Sequence, residues 1–358
     1  MQQKRPKRTL LYQRGDVFVK KFLLILIVLM LALLCACHED EPFVGPMPLP
    51  EEQTEEPAGP AVFMIDGTEY ELSVPAKTRI TDNGEGYVEI ATSSLTEPGA
   101  VIDLSGLSGC EYIKDLTVDF NGEDEKLIIP KLQNLLHCQF YGNAPALIDA
   151  SAAEGCTRLS FEAVPAEVKI GKGPENLELG YGFDISKISG ASNVKSVVVH
   201  GDADLSKIAD IGEVEKVYIF GENDNVAGLE NLKSLKKLSF QAFAGDLSKI
   251  EKLSMESLVF NSDVKVETLD TLSATETVTE LWLNDEFITN SDFMDKLPSL
   301  EELYLTVDPI QPPEVPVWDE ITDVSQIDLL ETGVPKEKLK AFFENGGKIF
   351  IMDDWSRT

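Results

Sequence analysis

From Leu104 to Leu305 the apolar residues recur at intervals of three that close on an interval of two. Leu205, Ile208, Ile211, Val214, Val217 and Ile219 state the rule, and Leu104, Leu107, Cys110, Ile113, Leu116 and Val118 repeat it without an error. A period of three predicts a tight 3₁₀-like turn with one inward face. The closing step of two predicts a short strand whose alternate side chains share a face. The first strand position of successive units falls at 116, 138, 159, 177, 197, 217, 238, 258, 281 and 303, so the spacing stays between 18 and 23 residues. The pentapeptide Asp-Leu/Ile-Ser-Lys-Ile recurs from Asp184, Asp204 and Asp246, which chance would rarely supply.

The flanks follow other rules. Over 61–100, Asp66-Gly67 between two apolar runs signals a hairpin, and Tyr87-Val-Glu-Ile90 alternates. About forty residues bury little alone, so they are expected to form a β-rich cap over the first repeat. Beyond 308 the pattern stops at the proline-rich stretch Pro309–Pro316. Ile327-Asp-Leu329 offers one strand, Pro335 through Gly346-Gly347 brackets a short helix, and Ile349-Phe-Ile351 closes the chain as a strand, so 309–358 is expected to be a C-terminal cap.

The first 36 residues carry seven Lys or Arg and one acid, ending in Lys20-Lys21, and then thirteen apolar residues from Phe22 to Leu34. That length suits a secretory signal better than a membrane span. Leu34-Cys-Ala-Cys37 resembles a bacterial lipobox, in which Ala36 precedes a lipidated Cys37, and His38-Glu-Asp-Glu-Pro42 resembles the acidic export signal of gram-negative surface lipoproteins. Residues 37–60, with six prolines and seven acids, read as a solvated tether. Removing the +6 of residues 1–36 from the net charge of −31 leaves −37 on the remainder. A chain so acidic repels phosphates, so nucleic acid is not an expected partner.

The repeats resemble a leucine-rich-repeat protein of the short bacterial type, similar to internalin repeats, over residues 101–308. The resemblance implies an α/β solenoid, a leucine-rich-repeat superhelix with a parallel β-sheet on one face and 3₁₀ or short-helix turns on the other. Where that family places an asparagine after each strand, only Asn121 and Asn143 do so here, so a looser coil is expected.

In such a strand the residues between the inward ones face out, on what is normally the concave binding surface. The middle position reads Thr117, Gln139, Ser160, Glu178, Val198, Tyr218, Ser239, Val259, Trp282 and Tyr304, with Tyr141, His200 and Phe220 beside it. Cross-strand packing would explain such aromatics. Trp and Tyr are equally the usual anchors of interfaces. The expected ligand-binding residues are Tyr141, Val198, His200, Tyr218, Phe220, Val259, Trp282 and Tyr304. Their ligand is a protein or a glycan, with Trp282 and Tyr304 as stacking platforms in the second case.

Other chemistry is sparse. Cys110, Cys138 and Cys156 occupy inward positions and read as buried free thiols. His38, His137 and His200 lack the spacing of a zinc site or a catalytic triad, so neither a cofactor nor enzymatic activity is expected. Acidic turns such as Asn121–Glu125 and Asp202 with Asp204 read as a solvated rim, with a divalent cation the alternative. The expected protein is a lipid-anchored binding or adhesion protein of the outer membrane or cell surface. A glycan-binding accessory lipoprotein of a nutrient-uptake system and a structural envelope protein are the alternatives.

Overall fold

The computed structural model describes residues 60–221, 226–241, 247–260, 271–272, 275–284, 292–306, 320–330 and 332–352. The expected signal segment, Cys37, nearly all of the tether and the Pro309–Pro316 stretch lie outside them. The fold is sheet-rich α/β, with mostly parallel strands and few helices.

Strands β1 (Ala61–Ile65) and β2 (Thr68–Leu72) form the hairpin that Asp66-Gly67 signals. Both turn residues have positive φ, 47° and 71°, as a two-residue turn between twisted strands requires. Strands β3 (Arg79–Asp82) and β4 (Tyr87–Ala91) pair antiparallel at one edge of the main sheet, and β4 then starts its parallel run. Its parallel partners follow one another: β6 (Asp115–Phe120), β8 (His137–Gly142), β10 (Arg158–Phe161), β12 (Asn176–Leu179) and β14 (Ser196–His200). Next come β15 (Lys216–Phe220), β16 (Lys237–Gln241), β17 (Ser257–Phe260), β18 (Glu280–Asn284), β19 (Glu302–Thr306) and β20 (Lys348–Met352). The sheet thus has 13 strands, and the closing strand Ile349–Ile351 belongs to it rather than to a separate layer.

The register explains the spacing rule. Leu116, Cys138, Leu159, Leu177, Val197, Val217, Leu238, Leu258, Leu281, Leu303 and Ile349 stack strand on strand, and all are buried. Each such side chain contributes roughly 1.5–3 kcal/mol by leaving water. Phenylalanines fill the second inward position in two pairs: Phe140 and Phe161 stack at 5.0 Å, and Phe240 meets Phe260 at 5.6 Å, while Phe183, in the turn after β12, meets Phe161 at 5.3 Å.

The return path differs in part from the expected 3₁₀ or short-helix turns, which form in the first half only at Ser105–Leu107 and Ile185–Lys187. In the first half it is a second parallel sheet of five short strands: β5 (Val101–Asp103), β7 (Lys126–Ile128), β9 (Leu147–Ala150), β11 (Val168–Ile170) and β13 (Ile188–Ser189). Here Leu127 with Ile129, Ile148 with Ala150 and Val168 with Ile170 point inward at intervals of two, which is the strand period. From Ile208 onward the inward residues sit three apart, and 3₁₀ turns replace the strands at Ile208–Asp210, Leu229–Asn231 and Leu247–Lys252.

The recurring Asp-x-Ser has a structural role. The carboxylates of Asp103, Asp149, Asp184 and Asp204 accept hydrogen bonds from the backbone N–H two residues on, at 2.8 to 3.1 Å. These are side-chain caps that turn the chain out of the sheet.

Near the C-terminus the strand expected at Ile327–Leu329 does not form. Asp323 and Gln326 make a capping box that starts helix α2 (Val324–Ile327), preceded in the chain by the single turn α1 (Asp292–Asp295). The local pair of caps satisfies backbone N–H groups that a strand would have to pair elsewhere. Helix α3 (Lys336–Glu344) follows Pro335 and packs Leu339 into the core.

Cys110, Cys138 and Cys156 are buried free thiols; the sulfurs of Cys138 and Cys156 lie 3.8 Å apart, well beyond a disulfide bond of about 2.05 Å. The hydrogen bond that its S–H shares with Cys156, together with burial, pushes the Cys138 thiol well above its ordinary range. A Cys35→Ala/Cys37→Ala chain is therefore expected to show no thiol reactive to a colorimetric disulfide reagent when native and three when unfolded without reductant. Phe161→Ala, which interrupts the stack from Phe140 to Phe183, should cost about 3–5 kcal/mol in urea unfolding.

Candidate recognition face

The outward side of the main sheet carries three rows of side chains, one for each outward position of the strands. Its two halves differ in chemistry. From β15 to β20 the face is aromatic. Trp282, Tyr304 and Phe350 are register partners on β18, β19 and β20, and their rings stack almost parallel, at 4.1 Å and 11°, then 4.5 Å and 10°. The polar edges are anchored by carboxylates: Trp282 Nε1 donates to Glu280 Oε1, and Tyr304 Oη donates to Glu302 Oε2 at 2.9 Å. Glu302 also pairs with Lys348 at 2.9 Å. Burial, and then the hydrogen bond to Glu302, hold the Tyr304 hydroxyl above its ordinary range.

Lys237 joins this row to Tyr218. Its ammonium lies 5.8 Å from the centroids of both the Tyr218 and the Trp282 rings. Those rings stand on strands three apart in the sheet, so the lysine spans the gap. Burial pushes its ammonium below the ordinary lysine value, against the pull of Glu280. Beneath the span lie Ser239 and Val259, which are 4% and 1% exposed. Val259 was expected to meet a ligand; it faces outward, yet larger neighbours cover it. Its small side chain sits lower than the Tyr, Trp and Lys around it, and strand alternation does not report that difference.

Trp282 and Tyr304 spend their faces on each other, on Phe350 and on Lys237, so they offer edges rather than open faces, and the row forms a packed, amphipathic ridge.

From β8 to β14 the face is polar and contains a cleft of about 360 Å³. Glu178 is its hub. Its Oε2 accepts from Arg158 at 2.6 Å and Ser160 at 3.0 Å, and its Oε1 accepts from His200 Nε2 at 2.9 Å. Burial alone would raise this carboxyl, but the hydrogen bonds from Arg158, His200 and Ser160 outweigh it and hold the group below the ordinary glutamate range. The His200 ring rests on Phe220 at 5.3 Å. Tyr141 Oη donates to Gln139 Oε1 at 3.2 Å. Tyr141 and His200 thus line the cleft, Phe220 backs it, and Val198 is half-buried on β14 between the two halves.

Asp115, His137 and Ser160 on consecutive strands set a carboxylate, an imidazole and a hydroxyl in a row, with His137 Nδ1 3.7 Å from Asp115 and Nε2 3.0 Å from Ser160 Oγ. Acyl-transfer chemistry needs more than that row. The Ser160 proton is directed at Glu178, so His137 Nε2 must present its own N–H to the serine. The nearby amides of Glu162, Ala163 and Gly180 are bound to the Phe140 and Phe161 carbonyls, so they are not available as oxyanion donors.

Among the described residues no group of three or more His, Cys, Asp or Glu is placed to hold a metal ion, and no helix is long and apolar enough to cross a membrane. Of the acidic turns, Asp202 accepts from the Gly182 N–H at 2.8 Å, and Glu125 is buried with Thr92 and Gly122 as donors.

Sequence reading missed Phe350, Lys237 and Tyr181. Phe350 was legible, because Ile349-Phe-Ile351 repeats the inward-outward-inward pattern of the other strands. Lys237 reads as a generic surface lysine until the Tyr218 and Trp282 rings are placed on either side of it. No protein-family model matches the chain, and no curated protein is significantly similar to it.

The Glu178 network gives a pH prediction. Its folded pKa lies below the unfolded value near 4.3, so the ionised group adds stability above that pH, lost as pH falls through the folded pKa. Glu178→Gln should therefore lower the melting temperature at pH 7, and the gap should shrink as pH falls through the folded pKa of Glu178. A gap of equal size above and below that pKa would show that charge is not what the network uses.

Proposed function

We propose that the chain is a lipid-anchored, non-enzymatic recognition protein of the outer membrane or cell surface. Its folded part is a leucine-rich-repeat type of solenoid that binds a protein partner through the outward face of the main sheet. The reading rests chiefly on the aromatic ridge of Tyr218, Trp282, Tyr304 and Phe350, bridged by Lys237. Large half-exposed aromatics held rigid by stacking and by carboxylate anchors lose little conformational entropy on binding, which is the usual composition of an interface hot spot.

The repeat spacing, the in-register parallel strands and the 3₁₀ turns of the second half support the leucine-rich-repeat assignment. The two-sheet first half departs from the short bacterial repeats. The lipid anchor is supported by the sequence alone, through the thirteen-residue apolar run and the Ala36-Cys37 pair. A binding role without turnover is supported by the Ser160 hydroxyl, which donates to Glu178 rather than to His137.

A photo-cross-linking amino acid at Tyr218 or Phe350 of the full-length chain is expected to capture a discrete protein adduct in producing cells. The same group at Ile128, on the opposite sheet, is expected to give none. Against the partner so identified, Trp282→Ala/Tyr304→Ala should weaken binding at least about thirtyfold, the scale of a two-kcal/mol hot spot. Equal capture from Ile128, or unchanged affinity of the double variant, would overturn the reading. Cys37→Ala should abolish metabolic incorporation of labelled palmitate; retained label would move the anchor elsewhere.

A further inference from the structure

Tyr181 is the most exposed aromatic among the described residues, at 69%. It lies just past β12, and its ring rests on backbone. A Cβ at Gly201 would fall 2.0 Å from Tyr181 Cδ1 and 2.4 Å from Cε1, and one at Gly221 would sit 3.8 Å from the tyrosine oxygen. The ring thus lies across a shelf of two glycines on adjacent strand ends, one side against the protein. This arrangement is the reverse of the Trp282 row, whose faces are consumed by one another.

The cleft beside it is built by a second glycine effect. Gly180 occupies the third outward position, where the neighbouring strands carry Tyr141, Glu162, His200 and Phe220. A Cβ there would fall 2.6 Å from the Phe161 carbonyl oxygen, so the position stays bare and the gap stays open. About 360 Å³ lies at the small end of ligand sites, which run from about 300 to 1,000 Å³. Polar groups converge on it. A carboxylate has roughly four acceptor sites; Glu178 uses three, on Arg158, Ser160 and His200, and keeps one on Oε1. Gln139 accepts through Oε1 and keeps its amide N–H groups for a ligand. Glu162 adds an exposed carboxylate at the rim.

We propose that this cleft is a subsite for one neutral sugar residue, stacked on Tyr181 and hydrogen-bonded through its hydroxyls to Glu178, Glu162 and Gln139. An aromatic face for the apolar C–H side of a ring, beside planar acceptors and an amide donor, matches a polyol. Charge points the same way. Glu162 and the acidity of the chain oppose an anion, and Arg158 already neutralises the carboxylate that a cation would need. The subsite is separate from the aromatic ridge, so the protein-binding reading and this one fail independently.

The test is saturation-transfer NMR of the full-length chain in a non-glycosidic detergent. The probes are the methyl glycosides of glucose, galactose and mannose, with methyl glucuronide and glucosamine as charged controls. At least one neutral glycoside is expected to bind, with transfer strongest at ring C–H protons. Tyr181→Ala should weaken it at least about tenfold, while Tyr181→Phe, which keeps the ring, and Trp282→Ala, at the other half of the face, bind as wild type. Because Tyr181 packs outside the core, the Tyr181 variants should share the wild-type melting temperature. No binding of any neutral glycoside at tens of millimolar, preference for a charged control, or undiminished binding by Tyr181→Ala overturns the proposal. Loss of binding in Tyr181→Phe or Trp282→Ala overturns the stacking site equally.

Discussion

One backbone interaction sets the geometry on which everything else stands. At the entrance to each strand a single carbonyl accepts two consecutive N–H groups of the next unit: Lys114 accepts from Leu136 and His137, Leu136 from Thr157 and Arg158, Thr157 from Glu175 and Asn176. The same shared acceptor continues through Glu175, Lys195, Glu215, Lys236, Glu256 and Thr279. Each unit is thus hung on the one before at a fixed register, and the following parallel ladder inherits that register. Since an unpaired buried N–H costs on the order of 1–3 kcal/mol, slipping one unit would break two such bonds and turn every side chain of the strand to the opposite face.

Fixed register makes equivalent residues neighbours. Inside, it produces stacked leucines and the pairs Phe140–Phe161 and Phe240–Phe260; outside, it brings Trp282, Tyr304 and Phe350 to stacking distance although up to 68 positions separate them in the chain. The same ladder pairs the amides of Glu162, Ala163 and Gly180 beside the aligned Asp115, His137 and Ser160. A face built this way is suited to recognition: side chains are held in rows by a rigid backbone whose polar groups are already paired.

The return path tolerates more variety because its residues pair less. Where inward positions alternate, as at Val168 and Ile170, short strands form a second sheet; where they sit three apart, as at Leu229 and Leu232, 3₁₀ turns replace it. Asp103, Asp149, Asp184 and Asp204 serve both styles, because a carboxylate that accepts the N–H two residues on needs no partner strand. Part of the chain's acidity therefore has a local structural use. The rest of it repels polyanions at long range.

The apolar spacing by itself determined the main strands, their inward residues and the burial of Cys110, Cys138 and Cys156, because a periodic pattern is a local property of the chain and each unit obeys it alone. The Asp66-Gly67 turn and the helix after Pro335 were legible for the same reason. The second sheet was also written there, in the two-residue steps at Leu127, Ile148 and Val168, but the stronger three-residue rule masked it. Only the tertiary structure decided which outward residues are accessible. Val259 and Tyr218 occupy equivalent positions in the pattern, yet one is covered and the other half-open, because accessibility depends on side chains from strands twenty or more residues away. Tyr181 lies outside the repeat rule altogether, and what makes room for its ring is the absence of a side chain at Gly201, a fact of packing that no periodicity carries.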